Sequence, residues 1–227
     1  MDEKTLIAKR VALELKDGNL VNLGIGLPTL VAHYLPPRVS VLFQSENGLI
    51  GMRPLPEEGL GDEDLTDAGG SAIGAVPGAC AFDSAMSFGL IRGGHLDVTV
   101  LGGLQVDQTG LLANWMVPGR MVAGMGGAMD LVTGAKRVIV AMIHTAKGKP
   151  KIVKACSLPL TSVRPIDLIV TELAVIERVA DELVLRELAP GVQVEDVLRA
   201  TEARLVLPKD IVTMPIEEDR EAVGFEP

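Results

Sequence analysis

Six short apolar runs, each bounded by turn residues, limit the fold of this chain more than any other feature of the sequence. Runs of this length and composition are typical of strands buried on both faces of a sheet. They are VNLGI at 21–25, VSVLFQS at 39–45, DVTVLGG at 97–103, RVIVAMIH at 137–144, IVKAC at 152–156 and DLIVTE at 167–172. They predict an α/β fold built on one open sheet of six or more strands.

Helical periodicity accompanies this strand pattern near both ends of the chain. Between Asp2 and Leu15, apolar residues recur at helical spacing among charged ones, with Asp2 as a candidate N-cap and Gly18 as a stop signal. A second amphipathic segment runs from Val192 to Arg204. We expect flanking helices at both places, the second one covering one face of the sheet.

The chain is predicted to form one domain over residues 1–216. Its 227 residues, 48% of them hydrophobic, supply one sizeable core, and no repeat or linker interrupts the sequence. Residues 217–227 are acidic and are expected to form a disordered tail. The stretch 52–79 is rich in Gly, Pro, Asp and Glu, which predicts a long irregular loop of the kind that serves as a lid or mobile segment.

Composition excludes several classes of function. A net charge of −9 argues against binding nucleic acid through its phosphates. Cys80 and Cys156 form no C-x-x-C motif and the three histidines have no metal-site spacing, so no metal site is predicted. The longest uncharged run, 18–37, is broken by Asn, Gly and Pro, so no membrane span is expected. No secretory signal is visible in MDEKTLIAKR, and the expected location is the cytoplasm.

One carboxylate is placed conspicuously at the end of the second run, in FQSENGLIG at 43–51. Glu46 follows an apolar strand and precedes Asn-Gly, so its side chain can project from a sharp turn into a cleft. Ligand sites in open α/β sheets form outside the carboxyl ends of strands, where this turn and the glycine turn at 24–26 both lie. From the residues alone, the alternative is an acidic residue that merely starts a turn.

Glycine-rich segments near strand ends or helix starts offer backbone N–H groups that can stabilise an oxyanion. They are Gly24-Ile25-Gly26, Gly102-Gly103 and Gly124-Met125-Gly126-Gly127. Neither possible nucleotide motif is complete, because GIGLPT has Thr29 in place of the third glycine of a dinucleotide fingerprint and GMGGAM lacks the Lys-Ser/Thr pair of a phosphate-binding loop. A small substrate is favoured over a nucleotide cofactor.

FQSENGLIG resembles the S-E-N-G signature of the family I coenzyme A transferases, specifically the β subunit of the bacterial 3-oxoacid enzymes of acetoacetate or butyrate type. Further segments resemble that family in the same order, so the resemblance covers nearly the whole chain. They are VNLGIGLPTLV at 21–31, FDSAMSFGLIRGGHLDVTVLGGLQVD at 82–107, NWMVPG at 114–119, GMGGAMDLVTGAKRVIVAM at 124–142 and IVTELAV at 169–175. The resemblance implies the CoA-transferase type of open-sheet domain, which is isomerase-like and Rossmann-related.

The resemblance also implies catalysis by Glu46. In such transferases the glutamate attacks an acyl-CoA thioester to give a mixed anhydride, and the released thiolate then forms a glutamyl-CoA thioester on the enzyme. Coenzyme A is a substrate, and no cofactor is required. Asn22 and the backbone of Gly127 match positions that serve this family's oxyanion and substrate site. The other expected contacts lie at the same turns, and these are Gly24, Gly26, Asn47, Gly48 and Gly126.

A partner is implied as well, because enzymes of this family need two related halves and the signature of the α half is absent here. The expected assembly with an α subunit is α2β2, with the active site between the halves. The acceptor acid stays open among acetoacetate, butyrate, acetate and 3-oxoadipate. A dicarboxylate acceptor would need an additional cationic group, preferably an arginine.

Two alternatives to an acetoacetate or butyrate transferase remain open. One is a subunit of a 3-oxoadipate CoA-transferase. The other is a sugar-phosphate isomerase or ligand-binding module on a related fold, in which several basic side chains should lie near the glycine turns. Only Arg53 and Arg120 come close to those turns in the sequence.

Overall fold

A mixed sheet of eleven strands forms the centre of the protein in a computed structural model that describes residues 1–55, 62, 64–119 and 124–216. Five neighbouring strands at its middle are parallel to one another. In spatial order they are β12 (Leu168–Val170), β8 (Arg137–Ala141), β5 (Val98–Leu101), β1 (Leu20–Leu23) and β2 (Leu42–Ser45). Their carboxyl ends therefore meet at one edge of the sheet.

Antiparallel strands extend the sheet on both sides of this parallel centre. Next to β2 lie β3 (Leu49–Arg53) and then β4 (Gly74–Ala81). Next to β12 lie β13 (Ala174–Val179) and β14 (Glu182–Leu188), each antiparallel to the strand before it. The short strands β15 (Leu205–Val206) and β16 (Val212–Thr213) both pair with β14 in parallel.

Helices cover both faces of the sheet. The α1 helix (Glu3–Ala12) and a 3-10 helix (Leu27–Tyr34) pack on one face, and α2 (Ser84–Arg92), α3 (Ala128–Gly134) and α4 (Val194–Ala200) pack on the other. Successive residues of β8 point to opposite faces, so Val138 and Val140 join the core under α2 to α4 while Ile139 joins the core under α1. This two-sided burial explains why the parallel strands are apolar throughout.

Two smaller sheets complete the described structure. The strands β6 (Gln105–Asp107) and β7 (Leu112–Ala113) are antiparallel, and β11 (Ile152–Val153) pairs with β6 in parallel. The strands β9 (Thr145–Ala146) and β10 (Lys149–Pro150) form a separate hairpin.

The predicted fold class is confirmed, and the chain differs from prediction in two places. IVKAC at 152–156 was predicted as a strand of the central sheet, which is wrong, because its short strand belongs to the smaller sheet with β6. The stretch 52–79 was predicted to be irregular, but β4 begins within it at Gly74. Asp2 caps α1 as predicted, accepting hydrogen bonds from the N–H groups of Lys4 and Thr5. The tail at 217–227 and positions 56–61 and 63 of the loop lie outside the described residues.

Candidate active site

Glu46 lies in the tight turn between β2 and β3, at the carboxyl edge of the parallel strands. Since β2 ends at Ser45 and β3 begins at Leu49, three residues make the connection. Gly48 is required there because its φ is +124° and a Cβ would lie 1.9 Å from the carbonyl oxygen of Phe82. The glycine of S-E-N-G thus allows the chain to reverse directly after Glu46.

A cavity of about 610 Å³ opens at this edge of the sheet, with Glu46 in its wall. The wall comes mainly from segments at the ends of β1, β2 and β5 and from the start of α3. The cavity thus lies outside the carboxyl ends of neighbouring parallel strands, which is where sites in open α/β sheets form. Five of the predicted site residues line it, namely Asn22, Gly24, Glu46, Gly126 and Gly127.

The Glu46 carboxylate accepts a hydrogen bond from the residue that precedes α3. The Gly127 N–H donates a hydrogen bond to Oε1 of Glu46 at 3.1 Å. A Cβ on Gly127 would lie 2.6 Å from Oε2, closer than real Cβ atoms come to such a neighbour. The φ of Gly127 is −80°, which any residue can adopt, so glycine is needed here for space alone.

Burial makes Glu46 more basic than an exposed glutamate. It is the largest influence on the pKa of Glu46 and raises it, the Gly127 N–H lowers it, and the Asp130 carboxylate raises it further. The net effect is a raised pKa.

Asn22 is held by a buried network of amides behind the cavity. It is 3% exposed, and its Nδ2 donates to the backbone oxygen of Gln44 at 3.2 Å and to Oε1 of Gln44 at 2.8 Å. The orientation of the Asn22 amide follows from the backbone carbonyl of Gln44, which can only accept. Both N–H bonds of Asn22 are thereby engaged, and its Oδ1 has no partner among the described residues.

The three other predicted site residues do not line the cavity. Gly26 has a φ of +90° and precedes the 3-10 helix, where its carbonyl oxygen accepts from Thr29. Asn47 donates from Nδ2 to the carbonyl oxygen of Thr66 at 2.8 Å. Together with Gly48, these residues shape the turns that border the cavity.

Comparison with known proteins decides the family. The family model described as Coenzyme A transferase matches residues 4–200. The beta subunit of the acetate CoA-transferase of Escherichia coli (strain K12) is 54% identical over 214 residues, which cover 94% of this chain and 98% of that protein. The chain therefore belongs to the coenzyme A transferase family.

Two further relatives of this coenzyme A transferase differ in length. One subunit of the probable succinyl-CoA:3-ketoacid coenzyme A transferase of Bacillus subtilis (strain 168) is 52% identical over 207 residues, covering 91% of this chain and 96% of that one. A solved structure of an acyl-CoA transferase apoenzyme from Escherichia coli O157:H7 has a TM-score of 0.75 at 24% identity, which shows the shared fold. The match covers 94% of this chain but 43% of that one, so this chain spans less than half of that longer protein.

Because the chain belongs to this family, it is a CoA-transferase subunit, and the isomerase and binding-module alternatives are wrong.

Several residues in the cavity wall of this transferase were not predicted, including Thr29, Met52, Asp67 and Asn114. Asp67 lies in the stretch predicted to be irregular, and its approach to the cavity depends on tertiary contacts that leave no signal in the sequence. Trp115 lines the cavity too, and its Nε1 donates to the carbonyl oxygen of Leu160 at 3.3 Å.

Among the described residues, no three His, Cys, Asp or Glu side chains are grouped so that they could hold a metal ion. Over the same part of the chain, no helix has both the length and the apolar character needed to cross a membrane.

Proposed function

We propose that this CoA-transferase subunit works through a glutamyl-CoA thioester on Glu46. The observation that carries this proposal is the position of the carboxylate, which lies half-buried in the wall of a substrate-sized cavity with a backbone N–H 3.1 Å from one of its oxygens. Pockets of a few hundred Å³ or more are typical of small-molecule sites.

The proposed reaction begins with attack of a Glu46 oxygen on the thioester carbon of an acyl-CoA. The C–S bond breaks, the thiolate of CoA leaves with the electron pair, and an acyl-glutamyl anhydride remains. The thiolate then attacks the Glu46 carbonyl carbon of this anhydride, releasing the acid and leaving the glutamyl-CoA thioester. An acceptor carboxylate reverses both steps, which gives ping-pong kinetics.

Gly127 suits the second of these steps. When the thiolate attacks the carboxyl carbon of Glu46, negative charge develops on an oxygen of Glu46 itself. The Gly127 N–H already points at Oε1 of this group, so it needs no rearrangement to stabilise that charge. One such donor contributes roughly 10²–10³-fold in rate.

In the first step, hydrogen-bond donors are needed for the acyl oxyanion. Asn22 does not supply them in its present arrangement, because both of its N–H bonds donate to Gln44. We propose that Asn22 lines the substrate site and that binding of substrate, or a contribution from a partner subunit, completes the donor set for the acyl oxyanion. Gly24 lines the same wall, but its N–H donates to the carbonyl oxygen of Val100 at 2.8 Å.

A partner subunit completes the enzyme in this proposal. The relatives that match along almost their whole length are each named as one subunit of a transferase, and the longer solved chain contains more than twice the matched region. Both facts support an α subunit that supplies a second half, and we propose an α2β2 assembly with the cavity at the boundary between the halves.

The proposed substrates are acyl-CoA thioesters and short-chain acids of the acetate or 3-oxoacid type. The acetate and the 3-ketoacid in the names of the relatives support this range, whereas the succinyl-CoA in the second name carries a further carboxylate. The alternative of 3-oxoadipate would place a second carboxylate in the cavity.

The thioester is tested by trapping it. The chain, co-expressed with its α subunit, is incubated with acetoacetyl-CoA and sodium borohydride, which reduces a glutamyl thioester to an alcohol, and its intact mass is measured. We expect a small mass loss at Glu46 in the wild type and none in Glu46→Gln.

A matched control is Glu172→Gln, since Glu172 is another carboxylate whose pKa burial raises, but it does not line the cavity. This variant should still be modified at Glu46. An unmodified Glu46 in the wild-type complex, with CoA bound, would refute the covalent mechanism.

A further inference from the structure

The cavity contains a second carboxylate, Asp67, that the transfer reaction does not use. Asp67 belongs to the segment between β3 and β4 and lines the cavity together with Ala68 and Gly69. A negatively charged side chain beside a site for carboxylic acids repels the carboxylates of the acids that bind there.

The two residues that flank Glu46 hold this segment in place. Ser45 is 4% exposed, and its Oγ accepts a hydrogen bond from the Ala68 N–H at 3.0 Å. On the other side of Glu46, Asn47 donates from Nδ2 to the carbonyl oxygen of Thr66 at 2.8 Å. Asp67 lies between these two attachment points, so the catalytic turn itself fixes the position of Asp67.

The Asp67 side chain is fixed as well. Its Oδ1 accepts from the N–H groups of Gly69 at 2.8 Å and Ser71 at 2.9 Å, and its backbone N–H donates to the Ser71 carbonyl oxygen at 2.9 Å. The space beside Gly69 is bounded by both Oδ1 of Asp67 and the side chain of Ile25, which also lines the cavity. The carboxylate is thereby held next to the turn after β1.

The rest of the described wall offers little to attract a second negative charge. It contains no lysine, arginine or histidine over the residues that the structure describes. Asn22, Thr29 and Trp115 donate all of their side-chain N–H or O–H groups to protein oxygens, and Asn114 donates to the carbonyl oxygen of Gly102. The Ser45 hydroxyl accepts from the Ala68 N–H, so it and the second N–H of Asn114 are the side-chain donors left in the described wall. Meanwhile Oδ1 of Asn22, an acceptor, has no partner among the described residues.

We propose that Asp67 is a specificity-determining residue that favours monocarboxylic acceptors and disfavours acids with a second carboxylate. This inference rests on the proposed transfer through Glu46 and names the substrate class of that same site. A dicarboxylate bound to Glu46 at one end would place its other charge in a cavity that holds a fixed like charge. Like charges repel one another, and solvent screens this repulsion less beside a half-buried side chain such as Asp67 than between fully exposed ones.

The test compares acetate and succinate as CoA acceptors from acetoacetyl-CoA, with the subunit complex as wild type and as Asp67→Asn. Asparagine keeps the Oδ1 acceptor for Gly69 and Ser71 but removes the charge. We expect wild type to prefer acetate, and Asp67→Asn to raise kcat/KM for succinate about tenfold while kcat/KM for acetate changes less than about twofold. Asp67→Ser, which also removes the charge, is made in parallel in case the asparagine variant folds poorly.

The charge control is Asp64→Asn, because Asp64 is exposed on the same segment but does not line the cavity. This variant should keep the wild-type ratio of kcat/KM for the two acids. Borohydride trapping in each variant reports separately on the thioester. A succinate-to-acetate ratio that is unchanged in both Asp67 variants while the thioester still forms would overturn the assignment of Asp67 and leave the proposed function intact.

Discussion

Glu46 is the proposed nucleophile, and its burial carries a cost to folding. Because burial raises its pKa, the ionised carboxylate is less favourable in the folded protein than in the unfolded chain at neutral pH. Glu46→Gln removes this charge and keeps an oxygen that accepts from Gly127. We expect the variant to lose transfer activity and to unfold about 1–3 °C higher than wild type at pH 7, measured by thermal denaturation.

The pH dependence of this difference identifies its origin. As pH falls through the raised pKa of Glu46, the wild-type carboxyl takes up a proton and the cost of burying its charge disappears. The advantage of Glu46→Gln should therefore shrink between pH 7 and pH 4. An advantage that persists undiminished at pH 4 would mean that packing, and not charge, causes it.

Gly127 offers a second prediction about a single residue. In Gly127→Ala the new methyl group would lie 2.6 Å from Oε2 of Glu46 and would displace the carboxylate. We expect a loss of activity of about 10²-fold or more with little change in thermal stability, because the backbone of Gly127 is not strained by alanine.

The comparison variant is Gly89→Ala in α2, where a Cβ would meet nothing within 4 Å. It should keep full activity and gain about 0.5–1 kcal/mol in stability, as is usual for glycine in a helix. If Gly127→Ala transferred CoA at the wild-type rate, close approach of this glycine to Glu46 would not be needed for catalysis.

Among the elements, α1 is tied to the sheet by a buried ion network as well as by its apolar face. Arg10 donates from Nε and Nη2 to both carboxylate oxygens of Glu187 on β14, at 2.6 and 2.7 Å. Its Nη1 lies 2.7 Å from Glu14, which also pairs with Arg137 of β8. Three parts of the fold therefore share one set of charges.

Removing Arg10 should destabilise the protein strongly, because Glu187 would keep a largely buried charge that has lost its bidentate partner. We expect Arg10→Met to lower the free energy of unfolding by about 3–5 kcal/mol in denaturant titrations. Arg92 is the matched control, since its side chain is 67% exposed and pairs with Asp130 across the surface. Arg92→Met should cost about 1 kcal/mol or less, and a similar loss for both variants would contradict the role assigned to burial.

The elements also differ in how far the sequence could predict them. The parallel strands were predictable because both of their faces are buried, so apolar residues follow one another without a break. The hairpin of β13 and β14 gave a weaker signal, since Arg178 and Arg186 alternate with apolar residues and form ion pairs with Asp181 and Glu177. The β4 strand was obscured by glycines and a proline within Gly74–Ala81.

On the scale of the whole molecule, some features of the candidate site could be predicted from the sequence and others could not. Glu46 was predictable because its neighbours in the chain are also its neighbours in the turn. The contact of Gly127 with Glu46 spans 81 residues of sequence, and it entered the prediction through resemblance to a family. The attachment of Asp67 by Ser45 and Asn47 was not foreseen at all, because hydrogen bonds between residues some 20 positions apart leave no periodic pattern in the sequence.

One buried histidine links distant parts of the molecule and should set its stability in acid. His144 is fully buried, and its ring nitrogens lie 2.9 Å from Oγ1 of Thr171, just after β12, and 2.9 Å from Oγ1 of Thr201, which ends α4. The Thr201 hydroxyl donates to the carbonyl oxygen of Val197, so it accepts from Nε2–H of His144, and Nδ1 of the neutral ring carries no proton. The Thr171 hydroxyl lies 2.9 Å from Nδ1 and 3.2 Å from the carbonyl oxygen of Ala174, and it can donate its one proton to either acceptor. A protonated ring would place a positive charge in this fully buried position.

Burial, reinforced by the nearby Lys151, lowers the pKa of His144 from 6.5 to about 4. The unfolded chain therefore takes up a proton on this residue at a higher pH than the folded protein does. The stability due to the neutral ring is complete above pH 6.5 and is lost as pH falls towards 4, by about 3 kcal/mol in all. Denaturant unfolding at a series of pH values should show this decline in wild type and a flatter profile in His144→Gln.

Glu46 and Glu172 act in the opposite direction, since their raised pKa values favour the folded state in acid, but they are present in both proteins and cancel in the difference. Parallel profiles for the two proteins would show that His144 does not titrate differently on folding.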